Sequence, residues 1–297
     1  MDSVVVPLSI SLPLLFLWGV CVTPLSIILS NRYRIVDMPG ERKIHSSVTP
    51  RGAGIVLWLG FLLWSLYAVE EAPLLRFLAV GGTLVFLSGY WDDMKTLNPA
   101  VRLTFHIVAA GVFLALLPIP LRHVPVALLW ITGMTNAFNL IDGANGLCLM
   151  MFITASSVLA VFGFAEVFLP LASLATGVLL WNFPKAKTFL GDGGTTLLGY
   201  LYSSFCIYSI TPYFEFVSVI RLPFFLLLLG GIPAADTLFA IIRRLAKSRS
   251  PFSPDRGHIH HRFLDGGMST VSTVALLSIV QFCLVAGGVL FFGRFLF

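Results

Sequence analysis

The chain has 297 residues, of which 57% are hydrophobic and 11% are charged, with a formal net charge of +5 and a mean hydropathy of +0.92. Soluble domains carry about 25% charged residues, so this composition excludes an ordinary soluble protein and predicts an all-α, polytopic integral membrane protein. The four cysteines stand in or beside apolar runs without CxxC or disulfide-framework spacing, which indicates packing residues.

Ten apolar runs follow one another along the chain, most of them near the roughly 20 residues that a membrane-crossing helix needs. They cover about residues 3–30, 52–69, 73–91, 100–120, 124–140, 146–164, 167–183, 193–210, 217–243 and 270–292. The first run lacks a basic leader and is too long for the apolar part of a signal peptide, so we expect it to remain as a span. The pattern predicts about ten transmembrane helices in a single domain, residues 1–297, with both termini on the same side.

The basic residues are distributed unequally between the two sets of connecting loops. Fifteen of the 19 Lys and Arg residues fall in one set, and the other set keeps only Arg76, Arg122, Arg221 and Arg294. By the positive-inside rule, the first set is cytoplasmic and both termini are external, or periplasmic. Topology and attraction to anionic lipid would account for this asymmetry without any substrate.

The segment 136–147 places amides and a carboxylate at the end of an apolar run, where such groups are costly. Its polar members recur at every third position: Asn136, Asn139, Asp142 and Asn145. On one continuous helix the first and last of them would face opposite ways. A break at Gly143, or a helix end at Gly146, would let them converge on one pocket at the membrane surface. The alternative is that they hold neighbouring helices together.

A pair of adjacent carboxylates, Asp92 and Asp93, ends the third apolar run, followed by Lys95 and Arg102. Adjacent residues point about 100° apart on a helix, so both carboxylates can serve one site only at a helix terminus. Paired carboxylates suit proton transfer or magnesium binding. A solvated helix end with Lys95 and Arg102 as neighbours would explain the same pattern.

Asp192 stands in a glycine-rich turn, residues 188–196, at the predicted start of a helix. Three glycines around it would let the backbone approach a ligand, and its carboxylate and the helix N–H groups would face one point. This arrangement fits a hard cation that bridges a diphosphate. A helix-capping Asp in a tight turn is the alternative.

The last cytoplasmic loop carries His258, His260 and His261 between Arg256 and Arg262. These side chains form a dense set of donors for phosphate or pyrophosphate. A zinc site is the rival interpretation, although no cysteine is near and two adjacent histidines are poor ligands for one metal. We expect this loop to be exposed and to make no core contacts.

Two further features lie outside these motifs. The first cytoplasmic loop carries Lys43, and glycines at Gly52 and Gly54 open the second apolar run. Asp236 lies inside the ninth run and must be paired or face a polar cavity. The sequence assigns Asp236 no role.

Together these motifs resemble those of the polyprenyl-phosphate N-acetylhexosamine-1-phosphate transferases. The resemblance is carried by residues 89–93, 136–147, 189–194 and, above all, 250–261. Its nearest branch is the bacterial enzymes that transfer N-acetylglucosamine 1-phosphate from UDP-GlcNAc to undecaprenyl phosphate, the first step in making cell-envelope glycans such as lipopolysaccharide O-antigen. The resemblance implies a multi-pass protein of the bacterial inner (plasma) membrane. Its cytoplasmic cleft would hold Mg²⁺ (or Mn²⁺), a UDP-N-acetylhexosamine and the lipid phosphate; no nucleic acid is implied, and a homodimer is left open.

The resemblance also implies a role for each motif residue. Asp92 and Asp93 match the catalytic acidic pair, with Asp92 as a base or as the positioner of the lipid phosphate, and Asp192 and Asn139 would hold the metal. The substrate-binding positions would be Lys43, Lys95, Arg102, Asp142, Asn145, Phe189, Arg256, His258, His260 and His261. Many bacterial members carry Asp where this chain has Asn145. A uracil contact survives that change, but a catalytic carboxylate does not.

The implied reaction is phosphoryl transfer, in which the lipid phosphate attacks the phosphorus attached to the sugar and UMP leaves. The phospho-MurNAc-pentapeptide transferase of peptidoglycan synthesis is an alternative with the same kind of cleft, although the His-Ile-His-His form of the last loop favours a GlcNAc-type donor. A membrane transporter is another alternative, but its polar groups should lie near the midplane between repeated halves. A lipid-binding scaffold gives no use for Asp92, Asp93 and Asp192 together.

Overall fold

The computed structural model describes residues 7–38, 48–67, 73–250, 253 and 257–296, so the candidate residues Lys43 and Arg256 lie outside the described part of the chain. Within these ranges the protein is helical, as predicted, with one two-stranded antiparallel ladder. The elements are α1 (Leu8–Arg32), β1 (Val36–Asp37), β2 (Thr49–Pro50), α2 (Ala53–Tyr67), α3 (Pro73–Met94), α4 (Pro99–Leu114), α5 (Val124–Ile141), α6 (Leu147–Leu159), α7 (Ala165–Asn182), α8 (Gly191–Ile210), α9 (Leu222–Ala246), α10 (Ile259–Asp265) and α11 (Thr270–Leu296).

Each of the ten predicted apolar runs contains one long helix, and the short helix α10 is additional. By length and composition, six segments of the described chain could cross a membrane: α1, α3, α5 with the turn before it, the combined segment from α6 to α7, α9 and α11. Helices α2 and α4 are apolar but shorter. The protein is therefore a helical membrane protein that crosses several times, and the count of ten spans stays a prediction.

The segment Leu147–Asn182 is two helices joined by a sharp bend. A continuous helix of 36 residues would extend about 54 Å, far beyond the roughly 30 Å of the hydrocarbon core. The bend lies in a π-helical turn, Ala160–Phe164, where Gly163 has a φ of 102°. Only glycine adopts this conformation without a steric penalty. The bend lets α6 and α7 pack side by side.

Helix α8 is the centre of the fold, since it packs against α2, α3, α4, α5 and α6. Almost every residue after its first turn is buried. Two of its small polar residues donate their hydroxyl groups to carbonyls of the same helix: Thr196 Oγ1 lies 2.6 Å from the Asp192 carbonyl, and Ser203 Oγ lies 2.7 Å from that of Gly199. Small residues with satisfied hydroxyls suit a helix that is covered by protein and not by lipid.

The glycines at the start of α8 admit neighbouring helices. A Cβ atom on Gly194 would lie 2.7 Å from Gly54 Cα in α2, and one on Gly193 would lie 3.0 Å from the Phe86 carbonyl in α3. The expectation that all three glycines serve the approach of a ligand is therefore wrong for these two. Gly191 alone of the three lines the cavity described below.

Helix α9 contains a break that a neighbouring helix stabilises. Gly231 has non-helical dihedral angles (φ 56°, ψ −133°), and Pro233 follows it. The Ile232 N–H donates to Gln281 Oε1 of α11 at 2.7 Å. A freed backbone group inside a membrane protein needs such a partner, so Gln281 makes the break tolerable.

Candidate active site

One polar cavity of about 380 Å³ lies where several helices end or begin. Six of the predicted site residues line it: Asn139, Asp142, Asn145, Phe189, Asp192 and His261. Its other lining residues are Asp37, Arg51, Gly143, Ala144, Asn182, Gly191 and Thr270. The structure thus brings together residues from three of the motifs and from the first loop.

The predicted break after α5 is confirmed. Helix α5 ends at Ile141 and α6 begins at Leu147, so the chain between them turns Asp142 and Asn145 towards the same cavity as Asn139. Asn136 does not line this cavity. Its amide nitrogen donates to His106 Nδ1 of α4 (3.2 Å) and to the Thr132 carbonyl (2.8 Å). Asn136 therefore connects α4 to α5, which is the alternative role considered for the whole motif.

Asp192 lies in the first turn of α8, as predicted, and connects two groups of residues. Its Oδ2 accepts hydrogen bonds from Asn139 Nδ2 (3.2 Å) and from Arg102 Nη1 (2.5 Å). The same Arg102 nitrogen lies 2.6 Å from Asp92 Oδ2. Thr195 Oγ1 donates to Asn139 Oδ1 (2.7 Å), which orients the amide. Arg102 is thus held between two carboxylates at one side of the cavity wall.

The adjacent carboxylates of α3 have different partners. Asp93 accepts hydrogen bonds from the backbone N–H groups of Asp192 (3.0 Å) and Gly193 (3.2 Å) and from Arg51 Nη1 (3.0 Å). Its side chain is 1% exposed. A carboxylate at a helix N-terminus satisfies orphan N–H groups, so Asp93 caps α8 from a different helix. Asp92 instead pairs with Arg102.

Arg51 is a cavity residue that the sequence interpretation did not select. Its guanidinium pairs with Asp37 (2.5 Å) and Asp93 (3.0 Å) and therefore connects the first loop to α3. The loop is held in turn by Phe189, whose N–H donates to the Pro50 carbonyl at 2.8 Å. The position of Arg51, directly before the glycines that open the second apolar run, was the available signal.

Asn182 is a second residue that the sequence interpretation missed. It is buried at the end of α7, where its Oδ1 accepts from the Gly146 N–H (2.7 Å) and its Nδ2 donates to the Thr188 carbonyl (2.7 Å). These bonds join the loop after α5 to the segment before α8. The available signal was again a polar residue at the end of an apolar run.

Asp142 has an unusual electrostatic environment. Desolvation by the surrounding protein raises the pKa of Asp142 to about 7, and the negative charges of Asp192 and Asp93 add to this shift. A carboxyl group with such a pKa exchanges its proton near neutral pH. A positively charged ligand in the cavity would favour its ionised form.

The sequence predicted that the segment with His258, His260 and His261 (the histidine loop) is exposed, but two of these three side chains are buried. His258 is 4% exposed and His260 is 1% exposed. A Cβ atom on Gly143 would collide with the His260 ring, so this ring fills the notch beside the cavity loop. Burial, with a contribution from His261, lowers the pKa of His260 to about 3. Only His261 of the three histidines lines the cavity.

Two predicted residues remain apart from this assembly. Lys95 follows the end of α3, where it is exposed and does not line the cavity. His258 lies behind the cavity wall, where Nδ1 is 2.7 Å from Asp236 Oδ2. Asp236 is therefore paired, as the sequence requires of a carboxylate inside an apolar run.

The donor set at Asp192 fits magnesium. Carboxylate and amide oxygens are the ligands that this hard cation prefers. Asp192 offers a carboxylate, and Asn139 beside it would offer its amide oxygen once the amide turns, because its nitrogen now faces Asp192 and its oxygen faces Thr195. In the ranges that the structure covers, no three His, Cys, Asp or Glu side chains are grouped so that they could hold a metal by themselves. Magnesium commonly uses one or two carboxylates together with waters and substrate phosphates, so a site completed by a diphosphate is consistent with these residues.

Comparisons with known proteins agree with the motifs. Residues 75–210 match glycosyl transferase family 4. A probable undecaprenyl-phosphate N-acetylglucosaminyl 1-phosphate transferase of Bacillus subtilis is 29% identical over 88% of this chain and 78% of its own length. A decaprenyl-phosphate N-acetylglucosaminephosphotransferase of Mycolicibacterium smegmatis is 30% identical over 84% of this chain and 73% of its own length. An undecaprenyl-phosphate alpha-N-acetylglucosaminyl 1-phosphate transferase of Escherichia coli is 27% identical, with coverages of 88% and 78%. The chain therefore belongs to glycosyl transferase family 4, among the polyprenyl-phosphate N-acetylhexosamine-1-phosphate transferases.

Proposed function

We propose that the protein transfers N-acetylglucosamine 1-phosphate from UDP-GlcNAc to undecaprenyl phosphate in the bacterial inner membrane and releases UMP. The observation that carries the proposal is the position of Asp192, which lies between a polar cavity and the Arg102–Asp92 pair. This arrangement offers adjacent places for two phosphate-bearing substrates. The names of the similar bacterial proteins supply the acceptor class and the sugar.

The cavity would bind the nucleotide sugar. Its volume of about 380 Å³ falls within the range of small-molecule sites, about 300 to 1,000 Å³. Phe189 would stack on the uracil ring, and Asn145 and Asp142 offer polar groups to the same base. Arg51 and His261 would face the diphosphate, where Arg and His donors form strong charge-assisted hydrogen bonds.

The Arg102–Asp92 pair would bind the lipid phosphate. Arg102 is a fixed cation whose side chain is 19% exposed, and Asp92 orients it through Oδ2 while Asp92 Oδ1 accepts from the Leu97 N–H at 2.6 Å. A phosphate monoester is already largely ionised at neutral pH, so the acceptor needs positioning more than it needs a base. Asp92 is accordingly a positioner of Arg102 and of the acceptor.

In the reaction, an oxygen of the lipid phosphate forms a bond to the sugar-bearing phosphorus. The bond from that phosphorus to the bridging oxygen breaks, and UMP leaves with the electron pair. Magnesium, held by Asp192 and Asn139, would supply positive charge for the phosphoryl oxygens. Arg102 and Arg51 would align the two substrates, since phosphoryl transfer depends mainly on positioning and electrostatic stabilisation.

The same proposal includes the topology predicted from the basic loops. The cavity is lined at the C-terminal ends of α5 and α7 and at the N-terminal ends of α8 and α11. The Asp92–Arg102 pair beside it adds the C-terminal end of α3 and the N-terminal end of α4. This alternation is what successive antiparallel crossings would produce, with the cavity on the cytoplasmic face and the termini outside. It supports ten crossings, in which α2, α4 and α8 also span the membrane.

The decisive experiment measures UMP released by purified protein with undecaprenyl phosphate and a panel of UDP-sugars that includes UDP-GlcNAc and UDP-MurNAc-pentapeptide. We expect release with UDP-GlcNAc and Mg²⁺, loss of release in Asp192→Asn, and normal release in Glu215→Gln, a control on an exposed residue of the other face. Absence of release with every UDP-sugar would refute the function. Full activity of Asp192→Asn in excess chelator would refute the metal assignment.

A further inference from the structure

Asp236 is a buried carboxylate outside the reacting centre, and both of its oxygens are hydrogen-bonded to the segment that carries the histidines. It lies in α9, five residues beyond the break at Gly231, and is 6% exposed. A carboxylate at this depth costs free energy unless it is paired or hydrogen-bonded. Its two oxygens are both used: Oδ2 lies 2.7 Å from His258 Nδ1, and Oδ1 accepts from the Ile259 N–H at 2.9 Å.

These two hydrogen bonds have different effects. An ionised carboxylate can only accept, so His258 Nδ1 carries the proton, and the ring orientation is set by Asp236. The bond to Ile259 fixes the first residue of α10, the helix that carries His260 and His261. Asp236 therefore controls one imidazole directly and the position of a whole short helix.

From His258 the contacts lead to the cavity. The rings of His258 and His260 are nearly parallel, with centroids 6.0 Å apart, and those of His260 and His261 are 4.2 Å apart. His260 packs against Gly143 of the cavity loop, and His261 lines the cavity itself. A displacement of α10 would therefore move two parts of the cavity wall.

We propose that Asp236 is a positioning residue of the active site, which holds His258 and α10 so that His261 and the Gly143 loop keep the shape needed by the nucleotide sugar. This inference rests on the proposed function, because it takes the cavity as the donor site. Asp236 does not line the cavity and needs no contact with the substrate. The break in α9, where the Ile232 N–H donates to Gln281, precedes Asp236 on the same helix.

The key variant is Asp236→Asn, because it keeps the shape of the side chain while it reverses one hydrogen bond. The amide oxygen can still accept from the Ile259 N–H, but the amide nitrogen would face His258 Nδ1 and would demand the opposite tautomer. In Ser-His-Asp proteases, replacing the Asp behind the catalytic histidine with Asn likewise stabilises the wrong tautomer of that histidine. Asp236→Ala removes both bonds and tests the anchoring of α10.

We expect Asp236→Asn to lower kcat/KM for UDP-GlcNAc at least about tenfold, as for a lost charge-assisted hydrogen bond. Its thermal midpoint should stay close to that of the wild type, whereas Asp236→Ala should lose both activity and stability. The kcat/KM of the double variant Asp236→Asn, His258→Ala should be no lower than that of His258→Ala alone, since the effects of two residues that act through one contact are not additive. Asp265→Asn, on the exposed end of α10, is the matched control and should keep wild-type activity.

Two readouts separate the failure of this inference from the failure of the proposed function. Binding of UDP-GlcNAc is measured alongside UMP release, since binding does not require turnover. Wild-type protein that releases no UMP would refute the function, and weaker binding by Asp236→Asn would then still support the positioning role. Binding and turnover equal to wild type in Asp236→Asn would overturn the inference, as would multiplicative losses in the double variant.

Discussion

Replacing Asp93 with Asn tests how the centre of the protein is held together. The Asp93 side chain is 1% exposed and accepts three hydrogen bonds: two from the first turn of α8 and one from Arg51. Asn has the same size but carries no charge, and it offers one acceptor oxygen in place of two. Its amide nitrogen would face either the Gly193 N–H, or both the Asp192 N–H and the Arg51 guanidinium, and all of these groups are donors.

The expected loss follows from these contacts. Removing one partner of a buried charged pair costs about 3 to 5 kcal/mol, but Arg51 keeps its bond to Asp37, and the Asn oxygen keeps one N–H of α8. The other charge-assisted hydrogen bonds of Asp93 are lost or weakened, so we expect the free energy of unfolding to fall by about 3 kcal/mol. For a chain of this size, the melting temperature should fall by roughly 6 to 12 °C.

Asp92→Asn is the matched control. The Asp92 side chain is 17% exposed, and the Asn oxygen can still accept from the Leu97 N–H. Thermal unfolding in the same detergent should therefore shift little in Asp92→Asn, while UMP release should fall because Arg102 loses an ionic partner. A melting temperature of Asp93→Asn equal to wild type, or an equal drop in both variants, would refute this division between the two carboxylates.

Two further predictions concern the histidine loop and the topology. Because the folded pKa of His260 is about 3, below its usual 6.5, the unfolded state takes up the proton first as pH falls, and about 2 kcal/mol of stability should be lost between pH 7 and pH 5. Asp142 has a raised pKa and makes the free energy of unfolding change with pH in the opposite sense. The quantity to measure is therefore the free energy of unfolding of wild type minus that of His260→Leu, which should fall by that amount between pH 7 and pH 5. A difference that is independent of pH would contradict the assignment. In a cysteine-free background, a cysteine at Ser253 should be shielded from an impermeant thiol reagent in intact cells and one at Glu215 should react, and labelling at Ser253 from outside would reverse the topology.

The sequence by itself determined the class of protein and most of the members of the site. Polar groups are so costly beside apolar runs that their positions could be interpreted without coordinates. Asn139, Asp142, Asn145 and Asp192 were predicted on this ground, and all four line the cavity. The apolar runs likewise predicted every long helix, because the thickness of the membrane sets the length of a spanning helix and each helix is one continuous stretch of apolar sequence.

The tertiary structure decided which partner each polar group has. Arg51 and Asp93 are 42 residues apart, and Arg102 and Asp192 are 90 residues apart, so no local pattern could show that the adjacent Asp92 and Asp93 point to different groups. The burial of His260 likewise involves Gly143, which lies far earlier in the chain, in the loop after α5. A sequence records where polar groups are expensive, whereas only the packing of distant helices determines how each of them is satisfied.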